Sequence, residues 1–175
     1  MEPWAYTASP GQPPLMPNVG HLAQVGVQAD VVTAVVPPTH FSTHATLVTG
    51  RRPDEHGIVS NQLLGEAGIL PVPYWQANVL QGDSVWRSAV ASNKGVAALG
   101  WPSTVGAEVE WLLPDVAPLN REQQWLPLLN GTTTPWLLDR VKKDIPDPLP
   151  VGWPTPSERD GLLTDLACEI ARNSR

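Results

Sequence analysis

Within six residues, Thr39-His40-Phe41-Ser42-Thr43-His44, the chain places three hydroxyls and two imidazoles. An apolar β-branched run, residues 31–36, leads into them, and Pro37-Pro38 breaks that run. Beyond them, residues 42–49 read as a helix with Ser42 as N-cap and Gly50 as its stop. A polar elbow at a helix N-terminus faces unpaired backbone N–H groups and a partial positive charge, the natural seat of a phosphoryl group. A hydroxyl there is placed to attack phosphorus, and the same N–H groups would stabilise the charge that develops.

Each polar residue also has a plainer reading. Ser42 as a cap needs no catalytic role. Thr39 and Thr43 flank the elbow, and either hydroxyl would serve as nucleophile if the chain shifted by one residue. His40 reads as a nucleophile, as a metal ligand, or as a residue without a role. His44, one turn into the helix, reads as a packed or hydrogen-bonded histidine. In the loop 51–61, Gly57 permits positive φ and His56 ties the loop down. Asn61 caps a turn or touches substrate. Tyr74 and Trp75 either stack on a nucleotide base, as aromatics do, or pack in a chain that has eight tryptophans.

The elements that must position these residues follow from local signals. Pro17 and Gly26 bracket a short helix over 17–25, with Val19, Leu22, Ala23 and Val25 on its apolar side. The run 31–36 is nearly continuous in apolar character, as a strand buried on both faces is. Asp83 or Ser84 caps a helix ending near residue 92, and Asn93-Lys94-Gly95 turns it into a short buried strand over 96–99. Residues 65–81 give no clear element, and 120–129 and 134–141 read as helices. Thr155-Pro156-Ser157-Glu158 is a capping box with proline at the first helical position. It opens a helix with Leu162, Leu163, Leu166, Ala167, Ile170 and Ala171 along one stripe.

The elbow resembles the type I phosphodiesterase/nucleotide pyrophosphatase family of the alkaline phosphatase superfamily. In that family a strand leads to Thr-Phe-Pro-Asn-His-(Tyr/Ala)-Thr-Leu-Val-Thr-Gly, then proline, then His-Gly-Ile. Phe41, His44, Thr46, Leu47, Val48, Thr49, Gly50, Pro53, His56, Gly57 and Ile58 fall in register without a gap. The segments 16–27 and 96–102 and the last helix support the resemblance more weakly. It implies an α/β fold over residues 15–175, after an irregular lead-in at 1–14. That fold would be a partial alkaline-phosphatase-like sandwich with a mostly parallel central sheet and flanking helices, cut short at both ends. It also implies phosphodiester or pyrophosphate hydrolysis of a phosphate-ester or nucleotide small molecule, with two divalent ions, zinc by expectation. The departures are as specific. The family's nucleophilic threonine aligns with His40 and its transition-state-stabilising asparagine with Thr43. The metal-binding aspartate upstream of the first helix has no counterpart, and the other ligands would lie beyond residue 175. The expectation is therefore little or no activity for this chain alone. The alternatives are a non-catalytic remnant that binds an anion or a partner protein, and one half of a split enzyme.

Bulk properties narrow the partners. The chain has 175 residues, 42% of them hydrophobic, enough for one domain with a core. Its formal charge of -6 argues against a nucleic-acid duplex or an anionic membrane surface, which call for clustered Lys and Arg. One cysteine, Cys168, excludes an internal disulfide framework. No apolar run approaches the roughly 20 residues of a membrane helix. With no basic, apolar leader in residues 1–4, the expected location is cytoplasmic. An unpaired sheet edge would favour self-association.

Overall fold

The computed structural model of the chain describes residues 13–120, 123–146 and 154–174. It divides into two units, 1–34 and 35–175. The proline-rich lead-in expected at 1–14 lies outside the described residues except for Pro13 and Pro14.

Among its described residues the first unit contains one helix, α1 (Pro17–Val25), with proline in its first turn as the sequence predicts. The Gly26 amide closes it on the Leu22 carbonyl at 2.9 Å. Its expected apolar face is half covered at Val19 and Ala23, while Leu22 and Val25 stand exposed. The β-branched run that follows corrects the sequence reading. Residues 31–36 form no strand, and Val31, Val32 and Val36 are 82%, 82% and 85% exposed. β-branched side chains favour a strand only where a neighbouring strand supplies a ladder and a packed face. Among the described residues this run has neither.

In the second unit, α2 (His40–Thr49) starts two residues earlier than the apolar pattern suggests. Thr39, not Ser42, is the N-cap residue, its side chain makes no capping bond, and Ser42 lies fully buried inside the helix. Gly50 ends the helix in the left-handed conformation (φ 66°), a backbone position that glycine adopts without penalty. The expected loop 51–61 holds a single helical turn, α3 (Pro53–His56). The stretch without a clear sequence signal folds into an antiparallel hairpin, β1 (Gln62–Gly65) with β2 (Gly68–Pro73).

α4 (Val85–Ala91) is capped by Ser84, whose hydroxyl accepts from the Arg87 amide. It leads into β3 (Ala97–Trp101), as expected of an α/β unit. β3 pairs in parallel with β4 (Trp111–Pro114), which sequence patterning did not show. The register shifts between Leu99 and Trp101, at Gly100 (φ 61°). That irregularity turns Trp101 onto the face of Val96. Val96 and Trp101 pack against the core of Phe41, Ala45, Ile58, Tyr74, Leu80 and Trp86. Leu99 packs instead against the second core, built on Leu113, Leu129, Leu137, Leu166 and Ile170. β3 is therefore the wall shared by both cores.

Three helices complete the second core. α5 (Trp125–Leu129) is shorter than the predicted 120–129 segment, of which residues 121 and 122 lie outside the described residues. α6 (Pro135–Lys143) follows Thr134. α7 (Pro156–Asn173) has the predicted capping box, with Thr155 Oγ1 accepting from Glu158 N and the Glu158 carboxylate from Thr155 N. Of its apolar stripe, Leu162, Leu166 and Ile170 are buried and Leu163 is half-buried, while Ala167 and Ala171 remain exposed. Arg140 joins α6 to Glu169 of α7 at 3.0 Å. The fold is a mixture of α and β. Among the described residues its sheets have two strands each, one pair parallel and one antiparallel. That is narrower than the mostly parallel central sheet expected from the resemblance.

Candidate functional site

The residues expected as an elbow ahead of the helix lie mostly within it: Thr39 is the N-cap and His40 to Thr43 form the first turn of α2. Its amide donors are already partly used. Asn61 Oδ1 accepts from the Phe41 amide at 3.1 Å, taking the capping place that the Thr39 side chain leaves empty. With its oxygen held there, the Asn61 amide nitrogen keeps two donors beside the elbow. The hydroxyl oxygens of Thr39 and Ser42 are shielded from solvent and have no hydrogen-bond partner. Thr43 is half-buried, its amide in the helical bond to the Thr39 carbonyl at 2.9 Å.

His40 opens the helix and meets a residue that sequence reasoning missed. Its Nε2 lies 3.2 Å from Asp115 Oδ2. The other oxygen of Asp115 accepts from Arg159 Nη1 at 3.0 Å. Asp115 follows β4, and Arg159 lies in the first turn of α7, so one carboxylate ties three elements together. A carboxylate only accepts, which puts the Nε2 proton on His40 and, in the neutral ring, leaves the lone pair on Nδ1. No local motif could have shown this contact, because 75 residues separate the partners.

His44 has the structural role expected of it. Its Nδ1 donates to the His40 carbonyl at 2.7 Å, and its ring packs edge-on to Trp101 with centroids 5.0 Å apart. His56 is fully buried. The Ile58 amide donates to its Nδ1 at 3.1 Å, so Nε2 carries the proton, and Thr46 Oγ1 lies 3.0 Å from it. The Gln81 amide bonds the His56 carbonyl. This histidine holds α2, α3 and the chain after the hairpin together, and burial pushes its imidazole below the ordinary 6.5. Tyr74 sits in the core, its hydroxyl 3.4 Å from the Leu64 amide. Trp75 is half-buried against both cores.

Two-ion phosphoryl transfer needs several carboxylates and imidazoles around ions about 4 Å apart. Among the described residues, no three His, Cys, Asp or Glu side chains are grouped to hold an ion. The donors nearest the elbow are committed to other partners: His40 Nε2 to Asp115, Asp115 to Arg159, and His44 to its own helix. The described residues do not fit a two-ion site: His40, expected as a ligand, has Asp115 beside it but belongs to no group of three such side chains among them.

A helix N-terminus with a histidine and an amide side chain beside it can seat an anion such as a phosphate. Residues 4–158 match the model of type I phosphodiesterase / nucleotide pyrophosphatase, and the chain belongs to that family. It is 30% identical over 105 residues to a venom phosphodiesterase of Macrovipera lebetinus, covering 55% of this chain and 12% of that protein. A venom phosphodiesterase of Naja atra is 29% identical over 106 residues, with the same coverage. Ectonucleotide pyrophosphatase/phosphodiesterase family member 3 of Mus musculus is 26% identical over 95 residues, 51% of this chain and 11% of that protein. The chain therefore matches only about an eighth of the length of these relatives. No described helix is long and apolar enough to cross a membrane.

Proposed function

We propose that this chain carries the phosphate seat of a phosphodiester or pyrophosphate hydrolase and has little or no turnover alone. The substrate class is a phosphate ester or nucleotide, as the names of the relatives suggest. The supporting observation is the convergence at the start of α2 of His40, oriented by Asp115, with Asn61, whose amide nitrogen is left over from its bond to Phe41. In this reading Asn61 and the Thr43 hydroxyl face phosphate oxygens, and Trp75, half-buried where Tyr74 is buried, is the better placed of the two aromatics for a base. Tyr74 would contribute by packing beneath it. Within an alkaline-phosphatase-like sandwich, the remaining chemistry would come from residues other than those described.

The test is hydrolysis of a chromogenic phosphodiester by the purified chain with added zinc. The expected rate is that of the buffer. Robust turnover that disappears on chelation would overturn the proposed inactivity.

A second reading rests on the free Nδ1 of His40. That lone pair could form a P–N bond as the P–O bond to the leaving group breaks, the departing oxygen taking a proton from solvent. Water would then cleave the P–N bond. An acid-labile, base-stable phosphoryl group found on His40 by mass spectrometry would support it. Its absence after incubation with a reactive phosphodiester would count against it.

A further inference from the structure

His40 and His44 stand four residues apart at the start of α2, so they share one face of the helix, one turn from each other. Their ring centroids are 4.4 Å apart and the planes are tilted by 52°. Each ring spends one nitrogen on a fixed acceptor. His40 Nε2 donates to Asp115 Oδ2 at 3.2 Å, and Arg159 holds the other oxygen of that carboxylate. His44 Nδ1 donates to the His40 carbonyl at 2.7 Å. In the neutral rings the lone pairs are therefore on His40 Nδ1 and His44 Nε2. Among the described residues neither lone pair has a hydrogen-bond donor. The His40 side chain is 48% exposed and His44 is half-buried, so solvent reaches the pair.

Histidines that ligate a metal donate their other ring N–H to a carboxylate or a backbone carbonyl, which fixes the tautomer and the direction of the lone pair. Here one ring has the carboxylate and the other the carbonyl. Two histidines at i and i+4 on one helix face suit a single ion, which sits about 2.0–2.1 Å from each imidazole nitrogen. Packing alone accounts for the contact between the rings and for the edge of His44 on Trp101. It does not require that both rings be fixed in the tautomer that leaves a bare nitrogen.

We propose that His40 Nδ1 and His44 Nε2 chelate one late first-row divalent cation such as zinc, with Asp115 as the positioning residue that fixes the His40 tautomer. Imidazole nitrogen suits these ions, whereas magnesium and calcium take oxygen ligands. No group of three His, Cys, Asp or Glu side chains occurs among the described residues, so water fills the other positions of the ion. The pair is separate from the two-ion set that the resemblance implies, and it does not rest on the phosphate seat.

The experiment is a zinc titration of the 15N-labelled full chain in phosphate-free buffer, read on the histidine ring nitrogens by NMR. Saturable shifts of His40 Nδ1 and His44 Nε2 together, complete near one equivalent bound, are the expected result. His40→Gln and His44→Gln should each remove most of the affinity, and His21→Gln should leave it unchanged. Asp115→Ala should lower the affinity by about tenfold or more and show His40 as a mixture of tautomers before zinc is added. The ring-nitrogen shifts are read on the unaltered chain, so a variant that fails to fold does not decide the matter. No shift at millimolar zinc, a shift of only one of the two nitrogens, or shifts confined to His21 or His56 would overturn the chelate. Unchanged affinity in Asp115→Ala would overturn the positioning role. With phosphate left out, failure here is distinct from failure of the phosphate seat.

Discussion

His56 has the clearest consequence of any single residue. It is buried neutral, with desolvation holding its imidazole below 6.5 against the smaller opposing pull of its hydrogen bonds and of Asp54 and Glu55. Above 6.5 both folded and unfolded chains keep the ring neutral, and the contribution to stability is complete. As pH falls through 6.5 towards the lower folded value, the unfolded chain takes up the proton first, and the free energy of unfolding falls. The slope from one proton is at most about 1.4 kcal/mol per pH unit. Urea titrations between pH 7.5 and 5 should show this loss in the parent chain and a flatter profile in His56→Gln. An unchanged profile in the variant would mean that His56 is not the group responsible. At the elbow, Asn61→Ala should lower stability by about 1 kcal/mol through the lost bond to the Phe41 amide. The tying role of His56 was legible because glycine and proline frame it within one short segment. The Asp115–His40 pair was not, because spacing along the chain says nothing about a contact across 75 residues.

At the scale of elements, caps and stops read true except at Ser42, which lies inside α2, and strand pairing did not. α1 and α7 begin at the prolines the sequence marks, and Ser84 and Thr155 cap the helices assigned to them. Thr155→Ala should destabilise the chain by about 1 kcal/mol, measured as a lower denaturation midpoint with unchanged slope. The hairpin of β1 and β2 escaped notice because Gly65, Gly68, Pro71 and Pro73 interrupt any alternation. The 31–36 run misled in the opposite sense, having strand composition without a strand partner. Gly100 makes a sharper prediction. Its φ of 61° is strained for other residues, and a Cβ there would meet Leu163 Cδ1 at 2.6 Å. Gly100→Ala should cost about 1–2 kcal/mol, mainly left-handed strain, since the flexible end of Leu163 can give way. A loss below 0.5 kcal/mol would show that the irregularity in β3 is not needed to carry the chain between its two cores.

For the whole molecule, membership of the phosphodiesterase family rests on a match across most of the chain, while the relatives are about eight times longer than the matched stretch. The elbow motif carried the family in the sequence because its residues are contiguous. The ion site implied by the resemblance is a different matter. Such sites gather carboxylates and imidazoles from distant strands, and the described residues bring no such group together.

Backbone amide NMR of the 15N-labelled chain, titrated with inorganic phosphate, tests the phosphate seat most directly. Saturable shifts centred on the His40 amide and on the Asn61 side-chain NH2, lost in Asn61→Ala, are the predicted result. Shifts confined to Arg51-Arg52 or Lys142-Lys143, or none at tens of millimolar phosphate, would contradict it.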